Sequence, residues 1–136
     1  MARGGMDPRP LLSVEEVESA LGVSNLRVSL GGSDDEISAD YLNNDRTVGL
    51  ELMCHHSYDQ SEPFLPMETF DNLVENAMYG LDAHPVDALG DRSSVGGAMC
   101  AFIKSNKVFL VNLRGVDDGS GADKAVALAR TAASRL

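Results

Sequence analysis

LRVSLGGSDDEISADYLNNDRTVGLELMC, residues 26–54, passes three times through an alternation of apolar and polar residues, with a turn-forming cluster after each of the first two passes. Leu26, Val28 and Leu30 fall on one side of an extended chain. Ile37, Ala39 and Tyr41 repeat the pattern, and Val48, Leu50, Leu52 and Cys54 repeat it again. A period of two is that of a strand with one face against a core. Gly31-Gly32-Ser33-Asp34-Asp35 and Asn43-Asn44-Asp45 supply the reversals, because Gly lacks a Cβ and Asn and Asp tolerate left-handed backbone angles. Turns this short join antiparallel neighbours, so the stretch predicts a three-stranded meander.

Toward the N-terminus, Ser13-Val-Glu-Glu16 has the S-x-x-E spacing of a capping box. A helix is expected from there to about Leu21, with Val14, Val17 and Leu21 on one face and Gly22 as its stop. Residues 1–10, with two Gly and two Pro, read as a flexible lead-in, leaving residues 11–136 as a single domain. Toward the C-terminus, residues 55–66 read as a loop. Pro66 suits the first turn of a second helix, on which Met67, Phe70, Leu73, Val74, Ala77 and Met78 recur every three or four residues up to Gly80. Residues 81–93 read as an irregular connection. Val95–Ile103 and Lys107–Leu113 are apolar runs joined by Lys104-Ser105-Asn106, predicting one buried strand each, and an Ala-rich helix closes the chain over residues 122–136. The expected class is α+β, in the order α-β-β-β-α-β-β-α, with an antiparallel sheet packed against helices.

The chain has 136 residues, 43% apolar and 24% charged, which suits one globular domain rather than a disordered segment. Its formal charge is −10, and the acid is concentrated: residues 31–91 hold fourteen Asp and Glu against the single basic Arg46. Such a middle repels phosphate and anionic lipid, so neither nucleic acid nor membrane is an expected partner, whereas a basic or apolar polypeptide is. Absent Trp and an aromatic share of 5% also argue against base stacking. Cys54 and Cys100 form no dense framework, no apolar leader stands at the N-terminus and no run is long enough to span a bilayer; a cytoplasmic location is the expectation.

Cys54-His55-His56 is the most suggestive chemical run, since thiolate and imidazole are preferred ligands of zinc and related metals. On a strand Cys54 and His56 point to one face and His55 to the other, so a metal site would need a third ligand such as Cys100 or His84 brought in by the fold, and a nucleophile pair of Cys54 or Cys100 with His56 would need a partly open, thiolate-stabilising environment. Both cysteines fall on apolar strands, where Cys behaves as a small hydrophobe. The loop after Asp117 lacks the Glu that closes a calcium loop, its Asp118 or Ser120 reading instead as a cap for the last helix. Gly96-Gly97 and Gly119-Ser120-Gly121 lack the Lys of a phosphate loop. No catalytic set converges, and neither an enzyme nor a cofactor is expected.

The short helix at residues 12–22, the meander at 26–54, the helix around Phe70-Asp-Asn-Leu-Val74, the run Val108-Phe-Leu-Val-Asn-Leu113 and the terminal helix together resemble the small class I chaperones of type III secretion, which hold one effector protein before export. That resemblance implies a homodimer formed through the second helix, with Phe70, Leu73, Val74 and Ala77 at the interface. It also implies an effector segment held against Leu12, Val14, Val17, Val28 and Leu30. A second resemblance, to actinobacterial lipoprotein-type domains, rests on the opening helix, the Gly90-Asp91 turn and the closing Ala-rich helix, and implies export.

Overall fold

A computed structural model describes residues 11–33, 36–55, 66–104, 107–116 and 120–135. The elements are α1 (Val14–Leu21), β1 (Arg27–Ser33), β2 (Glu36–Leu42), β3 (Gly49–His55), α2 (Pro66–Ala77), β4 (Arg92–Gly96), β5 (Met99–Lys104), β6 (Lys107–Arg114) and α3 (Gly121–Ala133). The class is the α+β domain expected, with one more strand than the apolar runs suggested: residues 95–103 divide into two. Gly97, at φ 57°, sits in the two-residue turn that pairs Gly96 with Met99, a backbone angle that suits hairpin turns. A run made of Gly, Ala and apolar residues conceals such a turn, because no polar residue marks it. The lead-in at residues 1–10 and most of the loop before Pro66 lie outside the described residues.

The strands form one antiparallel sheet in the order β1-β2-β3-β6-β5-β4. Two meanders meet where β3 pairs with β6, setting Leu52 opposite Val111 and Cys54 opposite Phe109. Alternation then sorts the side chains into two layers. Tyr41, Leu50, Leu52, Phe102, Phe109 and Val111 belong to the larger core, which Val17 and Leu21 of α1 and Ala125, Leu128, Ala129 and Ala132 of α3 complete. Phe102 and Phe109 stack there with ring centroids 5.0 Å apart. On the opposite face Ala101, Ile103, Val108 and Leu110 pack with Phe70 and Met78, so α2 covers the β5–β6 half of that face. Small Ala residues let α3 lie close to the sheet.

Local chemistry secures the helices. Ser13 and Glu16 form the capping box read from the sequence, the Ser13 hydroxyl accepting from the Glu16 amide and the Glu16 carboxylate from the Ser13 amide. Gly22, at φ 70°, ends α1 and donates to the Glu18 carbonyl. Ser120 precedes α3 without its side chain capping the helix, and Asp118 lies outside the described residues. The opening of the domain is tied down twice: the buried Tyr41 hydroxyl donates to the Leu12 carbonyl (2.6 Å), and Arg135 donates to the Leu11 carbonyl (2.9 Å) while gripping both oxygens of Glu16 at 2.6 Å.

That grip, with the Ser13 amide, lowers the Glu16 carboxyl from its ordinary 4.5 to about 2. A carboxylate whose folded pKa is depressed stabilises the fold fully above its unfolded pKa and loses the contribution as pH falls through the folded one. Glu16→Gln is therefore expected to lower the melting temperature by a few degrees at pH 7. The gap to wild type should shrink between pH 4.5 and about 2, as read by thermal denaturation across that range. A gap that stays constant with pH would show that the ion pair does not supply it.

Candidate partner-binding surface

Every open sheet ends in two edge strands, each presenting unpaired backbone donors and acceptors. Here the two edges differ. Beyond β4, the connection after α2 runs alongside: His84 and Val95 exchange backbone hydrogen bonds of 3.0 and 2.8 Å, and the Ser93 hydroxyl both accepts from the Val86 amide and donates to the Val86 carbonyl. Among the described residues nothing pairs with the outer side of β1. Its start is anchored, since the Glu18 carboxylate of α1 accepts from the Leu26 amide at 3.0 Å.

The β1 edge carries apolar side chains on the face that bears α1 and α3. Register places Val28 across from Tyr41 and Leu30 across from Ala39. Val28 is partly buried against the larger core, whereas Leu30 is 48% exposed. Of the other residues that the sequence nominated for partner contact, Val14 is partly buried, and Leu12 and Val17 are buried in the core, at 1% and 0% exposure. Those two hold α1 to the sheet. Leu30 is the member of the set presented to solvent, with partly buried Val28 two residues before it on the same face of β1.

On α2, Phe70 is buried in the smaller core, Leu73 and Val74 are partly buried against it, and Ala77 is half-buried. At 100° per residue Leu73 and Ala77 flank one side of the buried stripe, and Asp71 and Glu75 the other. Met67, Tyr79 and Leu81 are exposed apolar residues at the two ends of this helix, at 50%, 83% and 40%. Tyr79 and Leu81 escaped the sequence reading because they fall after the last regular turn of α2, where helical periodicity no longer assigns a face.

The Cys–His constellation is not assembled. Cys54 and Cys100 are both buried and outside any disulfide. Cys54 lies on β3 opposite Phe109 and Cys100 on β5 opposite Val111, two strands apart and out of register. Strand spacing alone separates them by about 10 Å, beyond the roughly 7 Å between Cα atoms that a disulfide spans. His55 ends β3, His56 lies outside the described residues, and His84 is an exposed residue beyond β4. Among the described residues no three His, Cys, Asp or Glu group together as metal ligands. Burial pushes the Cys54 thiol up to about 11 and the Cys100 thiol to about 12, away from the thiolate that nucleophilic chemistry requires.

No protein-family model matches the chain, and no curated protein or solved structure is significantly similar to it. The assignment of a surface therefore stands on geometry. No helix among the described residues is long and apolar enough to cross a membrane.

Both thiols are expected to resist a disulfide-exchange reagent in the native protein at pH 8 and to react completely once it is denatured. Rapid reaction of either thiol in the folded state would place it in an open, thiolate-stabilising environment, contrary to its burial.

Proposed function

We propose that this protein is a non-enzymatic chaperone or adaptor that holds an extended segment of a partner protein along β1. The observation carrying the reading is the asymmetry of the sheet: the β4 edge is covered by residues 84–86, while among the described residues nothing pairs with the outer side of β1, beside a half-exposed Leu30. A peptide laid along such an edge gains main-chain hydrogen bonds and seats alternate side chains on one face. The resemblance of the opening helix, the meander and the second helix to class I type III secretion chaperones supports the same reading, with β4 as a departure from the expected order, and so does the acidic balance, which favours a polypeptide with basic or apolar residues. The reading includes a homodimer of cytoplasmic protein joined through the Leu73–Ala77 flank of α2, where partly buried Met53 extends the apolar surface.

Two measurements test it. Light scattering across a concentration series is expected to give a dimer at low micromolar concentration and a monomer for Leu73→Glu. Peptides selected for binding are expected to slow hydrogen exchange at the amides of residues 27–33, and Leu30→Ser to weaken them about fivefold, since burying the exposed half of a Leu contributes about 1 kcal/mol. A monomer that binds no extended peptide, or peptides that protect only amides away from β1, would overturn the proposal.

A further inference from the structure

On the far side of the sheet from β1, a cavity of about 550 Å³ opens between α2 and the chain leading into β4, a size typical of ligand sites. Phe70 and Val74 line it from α2, and Leu89 from the connection. Its rim is acidic: Asp71 and Glu75 come from one turn of α2, Asp87 and Asp91 from the opposite wall. Arg92 answers one of these charges, lying 3.2 Å from Asp71 with its guanidinium 5.3 Å from the Phe70 ring centroid. Glu75, Asp87 and Asp91 are exposed and make no ion pair among the described residues. At the base, Ser94 is only 6% exposed, and its hydroxyl makes no hydrogen bond among the described residues. A buried hydroxyl at this position is one that an incoming donor or acceptor would bond.

The wall is fixed. Arg130 of α3 donates to the Ala88 carbonyl, the Asp91 amide donates to the Ile103 carbonyl at 2.7 Å, and Gly90 adopts φ 62° where a Cβ would meet that same Ile103 oxygen at 2.4 Å. These contacts hold the Asp87 and Asp91 side of the groove at a set distance from α2.

We propose that this groove binds an arginine-bearing segment of a partner protein. Three exposed carboxylates that pair with no cation among the described residues call for positive charge. A planar guanidinium suits them, because its five donors fork onto carboxylates in a way the point charge of an ammonium does not. The site is independent of peptide capture at β1. It also lies on the Asp71–Glu75 flank of α2, opposite the Leu73–Ala77 flank, and so stays open in a dimer joined there.

The test is fluorescence anisotropy at low salt with a labelled Gly-Arg-Ala-Arg-Gly peptide. The triple variant Glu75→Gln, Asp87→Asn, Asp91→Asn changes only exposed side chains, and its folding is checked by its melting curve. It is expected to bind at least tenfold more weakly than wild type. Ser94→Ala should weaken binding about threefold, the worth of one modest hydrogen bond. The charge-matched variant Glu15→Gln, Asp40→Asn, Asp123→Asn should bind as wild type does. Leu30→Ser should do so too, which separates this site from the edge proposed for extended segments. Equal losses in the two charge variants would reveal diffuse attraction to an acidic protein and overturn the proposal. No binding to wild type would overturn it as well, and so would binding of arginine amide as tight as that of the peptide.

Discussion

The pairing of β3 with β6 is the constraint on which the rest depends. Each meander can form from local turns, but alone each would leave a hydrophobic face in water. Joining them sets Leu52 against Val111 and Cys54 against Phe109, all at 0% exposure, and creates a sheet wide enough for helices on both faces. Closing the intervening chain costs entropy that grows only logarithmically with its length, whereas the burial it permits grows with area. Because a slip of one residue would send Cys54 and Leu52 to the α2 side, this register decides which face every neighbouring strand presents. The helix positions follow: α3 lies over the aromatic stack of Phe102 and Phe109, and α2 over Val108 and Leu110.

The same join explains why the sheet's ends are so different. With β3 and β6 in the middle, the two outermost strands are β1, which follows the short helix α1, and β4, which follows a long connection. A long connection has the length to double back along its own strand, and it does so through the His84–Val95 bridge. Helix α1 is eight residues long and is held on the larger core by Val17 and Leu21, too far inside to shield Leu30. The open edge is thus a consequence of connectivity. It also contains Gly31 and Gly32 and begins with the charged Arg27, features that limit unwanted pairing.

The elements with strong periodicity were readable from residue order: the capping box at Ser13, the three strands of residues 26–54, the α2 stripe and the Ala-rich α3. The division of residues 95–103 was not, because Gly97 and Ala98 make a turn without any polar residue, and a turn inside a buried run depends on what packs around it. Among the site residues, Leu30 stood out as apolar but so did Leu12 and Val17. Nothing in a two- or four-residue period tells a buried face from an open one when the covering element comes from elsewhere in the chain. The groove was still less legible. Its carboxylates come from α2 and from a connection that sequence reading leaves shapeless, and Ser94 becomes conspicuous only once its burial is known.

Charge and shape divide the surface between the two ends of the sheet. Strand β1 contains no acidic residue over Arg27–Ser33, so an edge-bound chain would be read by its backbone and by the side chain it sets on Leu30. The groove presents carboxylates and would read charge. Five strand spacings separate β1 from β4, roughly 24 Å in the plane of the sheet, and helices pack on both faces between them. A short motif can therefore engage one end only. A longer client that crosses the sheet can engage both, and its second contact becomes intramolecular, which raises avidity without demanding that either contact be strong. Weak recognition at two separated places would suit the extended-segment binding proposed above.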